Sequence, residues 1–433
     1  MNLIFIGLMI YAVLSLFSMA TMSIGAAVLV LLLLGQLAKG VPTDLPGGTP
    51  KATDSFLTTL FSKRVGRSSL QSYLWSSFAL MIACIFSLIF GSLDPLSFGG
   101  YNSQVHLIAD SAKLWYFFWP LILVFSISKI TPAQRLQVLR AWLVTFVLLS
   151  AFGIVQYFIG WPRFQPIPGL EGRSATTLFL GHHLSVASVF IFPFFVLLDF
   201  LRQAPRSDVT IGKSRVLPVW ILSLGAVFGF ATLMLTFSRT EWVALPVGIL
   251  VWMLWALPPP GKSGRNVRIF AVLGILIAGG LCSQIPEVKY RLTNQMGVHE
   301  REDLWEANME MFKQRPLTGV GLKHNQELSG FYLMEKYHAT DVFSGHAHNN
   351  ILDFLGGTGL IGLLAFLVWW FFIFKWTLRP GVRIAGYNLS AGFFCALLVF
   401  QLNGLTQVNF WEAKVQHQLM WSIAWILWGA IGA

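Results

Sequence analysis

Two histidines two positions apart, His346 and His348, lie in the stretch 344–360 (SGHAHNNILDFLGGTGL), where a polar segment runs into a strongly apolar one. Imidazole is the side chain that takes up and releases protons near neutral pH. At the edge of an apolar run it is a candidate general base, and His348, nearer the start of that run, is the better placed of the two. On an extended segment the pair would point the same way and could ligate a metal, but no third or fourth ligand stands at a recognisable spacing. A structural role for His348, capping the helix that follows, is the alternative. Asn349 and Asn350 suit the cap of that helix and could fix the His348 ring.

Three arginines stand out by position. Arg173 ends the loop WPRFQPIPGLEGR, Arg239 lies in the tight turn SRTEW between two apolar runs, and Arg301 opens an amphipathic segment. A guanidinium near hydrocarbon is costly unless paired, and its planar fork of donors matches phosphate oxygens. The plain alternatives are a pair with Glu241 for Arg239, an interfacial anchor for Arg173, and a local salt bridge for Arg301. Glu300, Glu302 and Asp303 read as first-turn helix chemistry rather than a metal site. Gly356, Gly357, Gly359 and Gly362 read as small residues that let membrane helices approach closely. Cys84, Cys282 and Cys395 all lie in apolar runs without CxxC spacing, so neither a disulfide framework nor a cysteine metal site is expected.

The elements that must position these residues are membrane helices. The chain has 433 residues, 55% of them hydrophobic and only 11% charged, with a mean hydropathy of +0.66. That balance excludes an ordinary soluble domain and specifies an all-α polytopic membrane protein. Apolar runs long enough to cross a bilayer predict about twelve spans: 2–19, 21–38, 70–92, 107–128, 139–159, 180–201, 217–237, 242–257, 268–283, 350–376, 387–405 and 417–433. The division is 1–283 with nine spans, 284–348 as a polar helical segment, and 349–433 with three more, in one integrated membrane unit. Lysine and arginine collect in the alternate loops 39–69, 129–140, 202–216, 258–268 and 375–386, which makes those loops and both termini cytoplasmic. All nine histidines then fall at the outward end, where 284–348 also lies. The net charge of +11 points to membrane lipid headgroups or phosphates; the basic residues are too dispersed for nucleic acid.

Within the outward segment, 300–315 (EREDLWEANMEMFKQR) has helical periodicity. Leu304, Asn308, Met311 and Phe312 share one face, with Trp305 and Ala307 beside it. Pro316 closes the helix and Gly319-Val320-Gly321 forms a turn. A small helical lid follows, expected to rest its Trp305 and Met311 side on the membrane interface.

Together, SRTEWVALPVGIL, REDLWEANMEMFKQRPLTGVG and HAHNNILDFLGGTGLIGLLAF resemble the bacterial O-antigen ligase and polymerase superfamily, in order over about 230–366. GRSATTLFLGHH, with Arg173 and His182, is similar to a further family element. The resemblance implies a membrane glycosyltransferase of the bacterial inner membrane, with its site facing the periplasm, and lipopolysaccharide assembly as its setting. The implied donor is a glycan on undecaprenyl diphosphate. The implied acceptor is lipid A–core for a ligase, or another lipid-linked repeat unit for a polymerase; span count and chain length look most like a ligase. Arg239, Arg173 and Arg301 would face the diphosphate. His348 would take the acceptor proton, with His346, Asn349 and His182 as secondary candidates. No cofactor is needed, because a diphosphate is already a good leaving group. A lipid or solute transporter would instead need ionisable residues near mid-membrane. Only Asp110, Lys113, Asp199 and Asp353 come near spans, mostly toward their ends.

Overall fold

Apolar runs punctuated by caps, Pro and Gly fold into helices because lipid leaves no other partner for the backbone of a crossing segment. The computed structural model describes residues 2–38, 67–92, 110–167, 170–204, 216–256, 286–293, 298–338, 342–378 and 382–431, with isolated positions between 266 and 284. The first helices are α1 (Leu3–Leu14), α2 (Met19–Ala38), α3 (Arg67–Ser92), α4 (Trp119–Ser128, entered through a 3-10 turn, Ala112–Phe118) and α5 (Pro132–Ile159). A hairpin of β1 (Pro166–Ile167) and β2 (Leu170–Ser174) leads to α6 (His183–Gln203), α7 (Val219–Met234) and α8 (Arg239–Ala256). The polar segment holds α9 (Pro286–Thr293), α10 (Val298–Gln314) and α11 (Asn325–Tyr337). The chain returns through α12 (Asn350–Leu378), a hairpin of β3 (Arg383–Ile384) and β4 (Tyr387–Asn388), α13 (Ser390–Asn403) and α14 (Ala413–Ile431).

This is an all-α membrane architecture. Among the described residues five helices are long and apolar enough to cross a bilayer: α2, α3, α5, α6 and α12; α1, the 112–128 run, α7 and α13 are shorter apolar helices. The expected ninth span, 268–283, and His106 lie outside the described residues or largely so. Several boundaries shift for local reasons. The first helix stops at Leu14 rather than 19, because the backbone N–H of Ser18 donates to Thr21 Oγ1 at 2.9 Å and that of Thr21 returns to Ser18 Oγ at 3.3 Å, starting α2 afresh. A capping box of Thr131 and Gln134 starts α5 seven residues before the expected 139. Residues 387–389 belong to a hairpin and its exit, not to α13.

The most enclosed helices carry the core. The α6 span is 89% buried, and Trp421 and Trp425 of α14 are fully buried with Trp119, Trp142 and Trp369. Three of these indoles have partners: Trp119 Nε1 donates to Tyr11 OH at 2.8 Å, Trp142 Nε1 to Gln418 Oε1 at 3.2 Å and Trp369 Nε1 to Ser77 Oγ at 2.9 Å. Large apolar side chains such as Leu31, Trp75, Val227, Val243 and Phe371 face outward, as lipid requires.

Loops sort into two ends. At one, Asn2 Nδ2 donates to Lys129 O, Arg140 Nε to Val216 O and Gln203 Nε2 to Asn388 O. At the other, Lys414 Nζ donates to Leu180 O, Asn349 Nδ2 to Leu405 O and Arg315 to Gly91 O, and the Thr240 and Thr406 hydroxyls meet. Among the described residues, Lys129, Arg135, Arg140, Arg202 and Arg383 share the first end. The histidine stretch occupies the second.

The helical pair α10–α11 does not lie on the membrane with its apolar face. Leu304, Ala307, Asn308 and Met311 are fully buried against protein. The reason is a helix break in α12. Gly359 has φ 64° and ψ −164°, and the 316–321 loop hydrogen-bonds into the gap. Val320 N–H donates to Gly356 O at 3.0 Å, Gly321 N–H to Gly357 O at 2.9 Å, and Leu360 N–H to Pro316 O at 2.8 Å. The glycines therefore serve a backbone-to-backbone seam rather than a smooth helix–helix contact. A Cβ on Gly359 would sit 2.5 Å from the Leu317 carbonyl carbon and oxygen.

Candidate functional site

His348 is the last residue but one before α12, and its backbone is left-handed, at φ 46°. That turn swings the imidazole out of line with the helix that follows. Asn349 performs the cap: its Oδ1 accepts the N–H groups of Ile351 at 2.8 Å and Leu352 at 3.1 Å. Asn350 is occupied elsewhere. Its Nδ2 donates to Asn409 Oδ1 at 2.7 Å and its N–H to Gly404 O at 2.7 Å, so it neither caps α12 nor holds the His348 ring. The expected Asn349–Asn350 clamp on His348 is thus replaced by a tether to the α13–α14 loop.

The His346 and His348 rings meet edge to face with centroids 4.2 Å apart, and the His348 N–H donates to His346 Nδ1 at 3.4 Å. Among the described residues, His348 Nδ1 is buried with no hydrogen-bond partner. Burial first, then the charges of His346, Arg301 and His182, hold the His348 imidazole down to about 3. It is neutral in the free protein, with a lone pair to accept a proton.

Arg301 lies in the first turn of α10. Burial, and next the positive charge of Arg239, lower its pKa, while Glu300 opposes them. Arg301 thus feels the charge of Arg239 and acts in turn on His348, although the three come from 238–241, 300–303 and 344–350. Arg239 opens α8, and among the described residues it forms no ion pair with Glu241. That acid is buried and accepts from Asn403 Nδ2 at 2.5 Å instead.

The seam in α12 is what carries Arg301 here. Asn325 Nδ2 of α11 donates to Asn308 Oδ1 at 2.7 Å and to Asp353 Oδ1 at 3.0 Å, tying α10 and α11 to α12. On the outer side Lys336 reaches Asp303 at 3.0 Å and Glu306 at 2.8 Å. Asp303 is therefore used to join α10 and α11, and Glu302 faces His299 at 3.2 Å. The acids near spans are likewise engaged in packing: Asp199 accepts from Trp252 Nε1 at 2.9 Å and Gly392 N–H at 2.6 Å.

His182 joins the pair from α6. Buried Gln156 holds the approach, accepting from Thr177 N–H at 3.0 Å and Leu178 N–H at 2.7 Å. His182 then caps α6, its Nδ1 accepting from Leu184 N–H at 3.3 Å. Burial, then Lys414, Arg163 and His346, lower its pKa. His182, His346 and His348 line one cavity of about 270 Å³ with Gln407 and Glu412. Arg173 stands apart from this group in its described contacts. Its guanidinium lies over the rings of Phe158 at 4.7 Å and Tyr157 at 5.5 Å, which matches an anchor. Sequence reasoning missed Gln407, Glu412 and Arg163. Nothing in their own stretches of sequence sets them apart.

Comparison with known proteins covers part of this site. Residues 224–367 carry an O-antigen ligase family domain. The match includes Arg239, Arg301 and His348 and leaves out Arg173, His182, Gln407 and Glu412. A Rickettsia conorii protein with the provisional name polysaccharide ligase is 23% identical over 320 residues, 71% of this chain and 71% of its own length. A Rickettsia felis protein with the same provisional name is 24% identical over 185 residues, 40% of this chain and 43% of its own. The O-antigen ligase family match over 224–367 and the apolar helices support a multi-pass membrane protein with a function of the polysaccharide ligase or polymerase type.

Proposed function

We propose that this chain is an O-antigen ligase of the bacterial inner membrane. It moves a glycan from undecaprenyl diphosphate to a sugar hydroxyl of lipid A–core, with its site and the 284–348 segment in the periplasm and both termini in the cytoplasm. One observation carries the reading: Arg301 shares a field with Arg239 and with His348 at one end of the bundle. The donor's anomeric carbon is attacked by the acceptor oxygen while the bond to the diphosphate breaks. Arg239 and Arg301 stabilise the charge that develops on the departing diphosphate, an electrostatic contribution that commonly reaches about 3–4 kcal/mol per donor. His348 accepts the hydroxyl proton as the new C–O bond forms, for about 10²–10⁴-fold. Direct displacement inverts the anomeric centre. The two arginines carry the charge that a divalent ion would otherwise carry, so the proposal includes independence from metal. Arg173 acts at the membrane interface rather than on the reacting atoms.

The test uses the purified chain, a polyprenyl-diphosphate glycan and lipid A–core, with a chelator present. Glycan on lipid A–core is the expected product. Elongation of the lipid-linked glycan alone would make the chain a polymerase and overturn the acceptor assignment. His348→Ala is expected to lower turnover by about 10²-fold or more with donor binding retained, and Arg239→Ala to weaken both. A fully active His348→Ala protein removes the mechanism.

A further inference from the structure

Two kinds of chemistry meet at His348. The charge of Arg301, itself in the field of Arg239, acts on it, and guanidinium groups offer only donors and positive charge. His348 also lines the cavity of about 270 Å³, with His182, His346, Gln407 and Glu412, and with Leu184 and Val408 as its apolar wall. Its polar atoms are of both kinds. His182 Nδ1 accepts from Leu184 N–H and His346 Nδ1 accepts from His348 N–H, so on each ring Nε2 carries a proton as a donor. Gln407 spends its amide N–H on Ser188 Oγ at 2.5 Å and keeps a carbonyl oxygen to offer. Glu412 takes the Ser185 hydroxyl on Oε1 and stands 3.9 Å from Lys414, which leaves Oε2 as an acceptor.

We propose that this cavity is the acceptor-sugar subsite: it holds one pyranose ring, Glu412 and Gln407 accept from its hydroxyls, and a neighbouring hydroxyl is thereby presented to His348. The inference rests on the transfer reading above and assigns the place of the second substrate. A polyol suits the cavity, because each hydroxyl both donates and accepts and the lining offers partners of both kinds. The volume lies just below the ~300–1,000 Å³ of pockets for drug-sized ligands, which fits a single ring rather than a lipid tail or an extended glycan. His348 lines the cavity and also feels the charge of Arg301. Donor and acceptor would therefore meet at His348, with the diphosphate held by the arginines and the attacking oxygen held in the cavity. Orienting the hydroxyl in this way is the positioning that turns two bound substrates into a reactive pair.

The experiment uses the full chain in nanodiscs and measures binding of lipid A–core without donor, then KM for each substrate. Glu412→Gln is expected to raise the acceptor KM about tenfold, as the loss of a charged hydrogen-bond acceptor does, with the donor KM unchanged. Val408→Trp fills the cavity from its apolar wall without touching a polar group. It is expected to abolish acceptor binding and spare donor binding, and it decides the matter should Glu412→Gln fail to fold. Unchanged acceptor binding in Val408→Trp, or a shift confined to the donor KM in Glu412→Gln, overturns the subsite. A wild-type chain that binds lipid A–core in a Val408-sensitive way but transfers nothing upholds the cavity and sinks the transfer reading instead.

Discussion

Replacing Gly359 with alanine should open the seam that carries Arg301 to His348. The built Cβ would stand 2.5 Å from Leu317 C and O and 2.6 Å from Gly319 N, all backbone atoms of the 316–321 loop, so the loop must move. Moving it breaks the bonds from Leu360 N–H to Pro316 O at 2.8 Å and from Ile361 N–H to Leu317 O at 3.3 Å. Two backbone hydrogen bonds contribute about 2 kcal/mol. The φ 64°, ψ −164° conformation, open essentially to glycine alone, adds about 1–3 kcal/mol for any L-residue. The total, about 3–5 kcal/mol, shifts docking of the loop by about 10²–10⁴-fold. It stays below the ~5–15 kcal/mol of a whole domain, so the helical bundle should remain folded. Hydrogen exchange read peptide by peptide should show faster exchange over 316–321 and 356–361 and unchanged exchange in α6 and α14. Glycan transfer should fall at least about tenfold, because positioning errors far from the reacting atoms carry costs of that size or more. Gly172→Ala is the control: its φ is +70° but nothing lies within 4 Å, so it carries the dihedral cost without the collision. A Gly359→Ala protein with wild-type exchange over both peptides would refute the seam.

Two further outcomes are expected. In the free protein His348 is held at about 3, so it is a neutral base throughout the neutral range and is lost only as pH falls through that value. The kcat/KM profile, which reports the free enzyme, should therefore show no His348 limb near pH 6.5. A bound diphosphate favours the imidazolium and raises its pKa, so the acid limb of kcat should stand at higher pH than that of kcat/KM; coincident limbs near 6.5 would contradict this. Arg173→Ala should lower kcat by no more than about tenfold, against about 10²–10³-fold for Arg239→Ala, since Arg173 rests on Tyr157 and Phe158. Equal losses in a steady-state transfer assay would return Arg173 to the diphosphate.

Much about this protein is local and was therefore written in the sequence. Apolar runs specify helices because hydrocarbon admits little else, and the runs at 183–203 and 350–378 appear as helices close to their expected ends. Segments around Arg239, Arg301 and His348 could be recognised because each keeps its residue types at short range. What required tertiary structure was every decision that depends on a distant partner. Asn350 turned from His348 to Asn409, 59 residues away, because the α13–α14 loop offers a carboxamide there. Asn308 looked like part of a membrane-facing stripe and is instead a buried link to Asn325. Gln407 and Glu412 carry no signal in their own neighbourhoods, and they become part of a cavity only when α14 packs beside α6. Hydropathy reads the solvent that a residue must leave. It does not read which polar atom will be waiting on the other side, and in a bundle of helices that partner is set by packing.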